Sequence, residues 1–342
     1  MNALILTEGG LNIGFGHIMR CLSLCQAFEA NGILPELVIN GDASIDDVLK
    51  NRRHKRFNWL EQKERVLSSI KDSDIAIIDS YLADAGFYRE ISDSVRVAVY
   101  IDDNKRVDYP KGVIVNGSIS AEMLHYPGRE SITYLLGPQF IPLRKEFWNV
   151  PGKKIREKIE SIMITFGGDD AGNITPSVLK LLTMQYPRVA KNVIIGRGYR
   201  NAEEIKMAAD GRTELIYFPG AEGMKTVMLE SDIAISAGGQ TLYELARVGV
   251  PAISVIVADN QINNVQGWEK NGFVVNAGWY NAPDLPEKIN DGFKLLEELS
   301  ARERMSKAGR LLVDGNGAER VVEALVERTG MHWIQTCNAD ST

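Results

Sequence analysis

Cysteine is scarce. The 342 residues contain three, Cys21, Cys25 and Cys337, too few for a disulfide framework. The chain therefore reads as a reduced, cytoplasmic protein. Cys21 and Cys25 lie one helical turn apart, but no matching Cys or His pair follows. The four histidines (His17, His54, His125 and His332) are scattered, so no metal site is expected. No apolar run approaches the length of a membrane span. The opening MNALILTEGG has no basic stretch and too short an apolar run for a secretory signal. An excess of basic charge is missing as well. The 39 Lys and Arg against 45 Asp and Glu leave a net charge of -6, which argues against a chain built to bind nucleic acid or an anionic membrane. A small phosphorylated ligand stays open, because a few backbone amides hold a phosphate without net basic charge.

What is present is material for a large core, with 44% hydrophobic residues. Short β-branched runs alternate with amphipathic stretches. ALIL (3–6), LVIN (37–40), IAIID (75–79), VAVYID (97–102) and VIVN (113–116) form a first series of buried strands. The pattern restarts with SIMITFGG (161–168), NVIIG (192–196), ELIYF (214–218), IAISAGG (233–239), AISVIV (252–257) and FVVNAG (273–278). Strands alternating with helices predict an α/β protein with parallel sheets. A stretch with three prolines and a basic end, 136–158, separates the series. We place a boundary near residue 150. Residues 1–150 and 151–330 are then two Rossmann-like domains facing across a cleft, and 331–342 is a tail. The basic run 51–56 reads as a solvated face.

Ligands of open α/β sheets bind beyond the carboxyl ends of the strands, and the unusual residues of this chain collect there. The loop after the first strand carries Gly9, Gly10, Gly14 and Gly16 and ends in His17, at the start of a helix. The positive helix end favours a neutral imidazole, suited to act as a general base; helix capping is the competing reading. The third strand ends in Asp79, Ser80 and Tyr81. The next ends in Asp102, Asp103 and Asn104, which read as capping or loop residues. Gly167 and Gly168 precede an expected helix entry at Asn173–Pro176 and resemble an anion-binding turn. The strongest signal spans 233–261. A buried strand ends in Gly238 and Gly239, a helix begins at about Gln240 and carries Glu244, and a further strand ends in Asp259, Asn260 and Gln261. The amides around Gly239 suit a diphosphate. Glu244, acceptor-only when ionised, suits a ribose diol.

Together these strings resemble the GT-B superfamily of nucleotide-sugar enzymes. They are IGFGHIMRC (13–21), IIDSY (77–81), YIDD (100–103), LLGPQFIPLRKEF (135–147), ITFGGDDAGNIT (164–175), ISAGGQTLYE (235–244) and ADNQ (258–261). The match is closer to the UDP-2,4-diacetamido-2,4,6-trideoxy-β-L-altropyranose hydrolases of the pseudaminic acid pathway and to spore-coat polysaccharide proteins. The resemblance implies an inverting, metal-independent hydrolase without cofactor that cleaves the C1–O bond of a UDP-sugar. It implies His17, Tyr81 and Asn260 as catalytic residues. Gly14, Gly16, Arg20, Gly167, Gly168, Phe218, Gly238, Gly239, Gln240, Thr241, Glu244 and Gln261 are the implied substrate contacts. The expected partner is the UDP-sugar alone, bound by a monomer. Phe140, where many relatives have Tyr, is a modest departure. A glycosyltransferase with a sugar or lipid acceptor and a non-catalytic nucleotide-sugar-binding subunit are the alternatives.

Overall fold

The structure, a computed structural model, describes residues 1–10, 13–49 and 52–330. The expected tail 331–342, with His332 and Cys337, lies outside the described residues.

The first half runs β1 (Ala3–Gly9), α1 (Gly16–Ala30), β2 (Glu36–Gly41), α2 (Asp46–Leu49), β3 (His54–Arg56), α3 (Lys63–Ile70), β4 (Ile75–Asp79), α4 (Ala85–Ser94), β5 (Val97–Ile101), β6 (Gly112–Asn116) and β7 (Ile132–Leu136). Its strands form one parallel sheet in the order β3-β2-β1-β4-β5-β6-β7. The second half runs β8 (Ser161–Thr165), α5 (Thr175–Gln185), β9 (Ala190–Ile195), α6 (Ala202–Ala208), β10 (Thr213–Tyr217), α7 (Ala221–Glu230), β11 (Ile233–Ala237), α8 (Thr241–Val248), β12 (Ala252–Ile256), α9 (Ile262–Lys270) and β13 (Val274–Trp279). Three helices close the chain: α10 (Leu285–Glu297), α11 (Leu299–Leu312) and α12 (Gly317–Arg328). The second sheet is also parallel, in the order β10-β9-β8-β11-β12-β13.

The apolar runs are explained by burial on both faces. Along β1 the pleat sends Ala3 and Ile5 into one core layer and Leu4 and Leu6 into the other. In the second sheet Met163 and Ala234 face one layer, and Ile162, Ile164, Ile233 and Ile235 the opposite one. Two strands escaped the sequence reading. β3 lies inside the basic run, as a short edge strand whose exposed His54 and Arg56 discourage further pairing. β7 is the opposite edge, only partly buried, and lacks a continuous apolar run.

The expected division at residue 150 needs two corrections. Ile141, Leu143 and Phe147 lie on the N-terminal side of that boundary, yet they pack in the C-terminal core. In the other direction, α12 leaves the second domain and lays Ala318, Val321, Val322, Leu325 and Val326 against α1 and the first sheet. An amphipathic helix packs wherever an apolar face awaits it, and each fully buried Val or Leu contributes about 1.5–3 kcal/mol. The chain thus crosses between domains twice. Strand order reverses between β1 and β4 and again between β8 and β11, the switch points where α/β sheets bind ligands. Among the described residues no helix is long and apolar enough to cross a membrane.

Candidate active site

A cleft of about 540 Å³ lies between the carboxyl ends of β1, β4 and β5 on one side and those of β11 and β12 on the other. Its N-terminal wall includes Glu8, Gly16, His17, Arg20, Tyr81, Asp103 and Asn104; its C-terminal wall includes Gly238, Gly239, Gln240, Tyr243, Asn260, Gln261 and Asn264. The first wall is charged. The residues of the second wall are neutral.

His17 stands in the first turn of α1, which opens without a capping side chain on Phe15. Its Nδ1 lies 2.6 Å from Oδ1 of Asp79, the last residue of β4. Asp79 is fully buried and accepts two further bonds from Arg20, Nε to Oδ2 at 2.8 Å and Nη2 to Oδ1 at 2.7 Å. Burial by itself would raise the Asp79 pKa. The charges of Arg20 and His17 and their hydrogen bonds overcome it and hold the carboxyl far below the usual carboxylate range. For His17, burial pulls downward, but the Asp79 charge and hydrogen bond outweigh it, and its pKa sits above the ordinary 6.5. The helix-end argument for a neutral imidazole therefore fails: a buried carboxylate in contact outweighs a partial helix charge. With Nδ1 committed to Asp79, Nε2 is the nitrogen left for the cleft.

Tyr81 closes the same corner. Its backbone N–H donates to Glu8 Oε1 at 2.7 Å, its hydroxyl reaches Asp103 Oδ2 at 3.3 Å, and its ring meets His17 edge-on, centroids 4.5 Å apart. Ser80 Oγ donates to the other Glu8 oxygen at 2.6 Å. Glu8, Asp79 and Asp103 were not singled out as site residues in the sequence. The usable signal for Asp79 is an acid ending an otherwise apolar strand, IAIID, and for Asp103 the second acid after VAVYI; Glu8 carries none beyond its place near the end of β1.

Across the cleft, the Gly238 amide donates to Gln261 Oε1 at 3.0 Å, and the Val257 amide donates to the same oxygen at 3.1 Å. Gln261 thus fastens the turn as well as lining the cleft. A Cβ on Gly238 would run into Val265, whereas one on Gly239 would meet open space short of Gln261 at 3.9 Å. Gly239 therefore leaves its side of the turn clear for a ligand. α8 begins immediately afterwards, and Gln240 does not cap it, because its Nε2 donates instead to the Pro142 carbonyl at 3.0 Å. The positive end of α8 is left facing the cleft. Asn260 is exposed on the same wall. Tyr243 ties the walls together: its hydroxyl accepts the Ile119 N–H at 2.9 Å and donates to Asn264 Oδ1, and Asn264 Nδ2 donates to the Gly238 carbonyl.

His17, Tyr81, Asn260, Gly16, Arg20, Gly238, Gly239, Gln240 and Gln261 are thus brought together. Others are placed differently. Gly14, at φ +88°, pairs through its backbone with Gly10 behind the cleft wall. Gly167 and Gly168 sit exposed after β8, and the start of α5 is already occupied, because Asp170 accepts the Ile174 and Thr175 amides, each at 3.1 Å. The anion-binding turn expected there has its own carboxylate. Phe218, exposed and at φ +48°, follows β10, with Arg197 over its ring. Thr241 begins α8 behind the cleft lining.

Glu244 is buried and paired with Arg144, Nη2 to Oε1 at 2.6 Å. Burial raises its pKa against the opposing charge of Arg144. Removing one member of such a pair strands the other. Glu244→Ala is therefore expected to lower unfolding stability by about 3 kcal/mol. A denaturant titration checks this, and an unchanged midpoint would show that the pair does not secure the linker to α8.

Residues 161–321 match the glycosyltransferase family 28 C-terminal domain. Homologues of the chain bear out the resemblance read from its motifs. They include the spore coat polysaccharide biosynthesis protein SpsG of Bacillus subtilis, 23% identical over 95% of this chain and 98% of that one. They also include the Helicobacter pylori pseudaminic acid cytidylyltransferase and UDP-2,4-diacetamido-2,4,6-trideoxy-β-L-altropyranose hydrolase, 24% identical over 78% of this chain and 47% of that one. The matches span about half the length of two curated relatives, 55% and 47%. MurG of Acinetobacter baumannii superposes with a TM-score of 0.69 at 15% identity, covering 96% of this chain and 100% of that one. The fold is GT-B: two Rossmann-like domains of parallel sheet.

Proposed function

We propose that the protein hydrolyses a UDP-linked diacetamido-trideoxyhexose at the C1–O bond, with inversion, releasing UDP and the free sugar for nonulosonic acid synthesis. One observation carries the reading: a partly buried His17, paired with the buried Asp79 on one wall of the cleft, opposes the uncapped start of α8 on the other. The amides at Gly239 and Gln240, with the positive helix end, neutralise the diphosphate as its charge grows. His17 Nε2 takes the proton of a water. The water oxygen bonds to C1 on the face away from the nucleotide, and the C1–O pair leaves with UDP. Asp79 stabilises the resulting imidazolium. Tyr81 and Asn260 flank the sugar from opposite walls, and the neutral amides of the C-terminal wall suit a sugar bearing acetamido groups.

Incubation of a panel of UDP-sugars in heavy-oxygen water, read by mass spectrometry, tests this. Label is expected in the released sugar. Label in UDP would place the attack on phosphorus and sink the reading. A transferase using a sugar or lipid acceptor is favoured by the family 28 match of the C-terminal domain; that reading requires that no UDP be released until an acceptor is supplied, and that the sugar then appear on the acceptor.

A further inference from the structure

Arg20 is expected from the sequence to touch substrate, but three of its five N–H donors are committed to two acids. Nε and Nη2 hold both oxygens of Asp79, and Nη1 holds Asp103 Oδ2 at 2.6 Å. β4 and β5 are neighbouring strands, so Asp79 and Asp103 emerge side by side at their carboxyl ends. Two such acids in a poorly hydrated corner repel each other unless a cation lies between them. α1 supplies it: the spacing of His17 and Arg20, three residues, puts both on one helix face. Arg20 is itself buried. Its planar fork suits this double grip in a way an ammonium does not.

We propose that Arg20 is a positioning residue, which locks Asp79 and Asp103 together so that Asp79 presents Oδ1 to His17 while Asp103 presents Oδ2 to Tyr81. It binds neither the leaving group nor the nucleotide. The inference rests on His17 being the base, and it extends that reading by coupling base and tyrosine through one guanidinium. The groups facing His17 are Asp79 at the end of β4, Glu8 near the end of β1, Tyr81 in the loop after β4, and Arg20 on its own helix; Asp103 lies behind Arg20. Among these Arg20 alone opposes protonation of the imidazole.

The test is a proton–nitrogen NMR titration of His17 in the ligand-free protein, assigned with His17→Ala, alongside steady-state kinetics on the UDP-sugar. In Arg20→Met the His17 midpoint is expected to move alkaline by about one pH unit. The acid limb of kcat/KM moves with it, kcat falls, and KM changes little. Arg20→Lys restores the midpoint, because the charge returns, but recovers kcat only in part, because the fork does not. Arg20→Gln serves if Arg20→Met fails to fold. An unmoved midpoint, or a loss confined to KM, overturns the proposal. The titration needs no turnover, so it is separable from the proposed function. A shifted midpoint in a protein that hydrolyses nothing upholds Arg20 and removes the base assignment. A fixed midpoint in an active hydrolase does the reverse.

Discussion

Replacing His17 with Ala is expected to cut kcat by about 10³-fold while UDP binding persists. The two effects separate because the residues involved stand on opposite walls. His17 and its partners belong to the N-terminal domain, and the Gly238–Gln240 turn belongs to the other. The truncation leaves Asp79 still held by Arg20, so no buried charge is stranded and the fold should survive. Rate measurement at saturating substrate and calorimetric titration with UDP check the split. A variant keeping most of its rate, or losing UDP affinity in proportion, would remove His17 from the chemistry.

The pH dependence follows from the same pair. A base must be unprotonated, and the His17 pKa of the free protein is raised above 6.5, so kcat/KM rises with pH through a midpoint above that value. The stability term runs the other way. A raised folded-state pKa means that the native fold prefers the imidazolium. That contribution is full below the unfolded value and is lost as pH rises through the folded one. The enzyme is therefore fastest on the side where this part of its stability has gone.

The doubly wound fold was legible because buried parallel strands announce themselves as apolar runs, IAIID and IAISA among them. β3 and β7 were not, since neither HKR nor ITYLL is an unbroken apolar run. The return of α12 to the first domain was equally silent, because its apolar face specifies burial without specifying against which core. In the site, glycines and His17 were visible as residue types in unusual places. What hid was pairing. Asp79 reads as one more turn residue until β4 and α1 set it 2.6 Å from the imidazole, and no spacing in the sequence shows that Arg20 pairs with two carboxylates. The helix starts differ in the same way: Asp170 accepts the amides that open α5, whereas no side chain caps α8 and its first-turn Glu244 is turned to Arg144. That difference depends on loop conformation, which spacing does not encode.

Asp79→Asn isolates what the carboxylate does. Both oxygens of Asp79 accept from Arg20, and Oδ1 also accepts from His17. A carboxamide has only one acceptor oxygen, so one of its faces must present N–H₂. If the amide oxygen faces His17, the N–H₂ confronts the Arg20 Nε donor. If it turns away, the N–H₂ confronts Nδ1, which must then accept, moving the ring proton to Nε2 and blocking the nitrogen that should receive the water's proton. Either arrangement is costly at the site. The expected loss in kcat is about 10⁴-fold, of the order found when the acid of a Ser-His-Asp triad is neutralised. The signature lies in the direction of the titration. Without the Asp79 charge, the His17 midpoint falls, so more of the imidazole is neutral at pH 7 even as the rate collapses. A loss caused by protonation would be recovered at high pH; this one is not, because the proton is on the wrong nitrogen. Rates measured from pH 6 to 9, beside the NMR midpoint, decide the matter. A rate that stays near the unsubstituted level across this range would mean that Asp79 leaves the orientation of His17 to its neighbours.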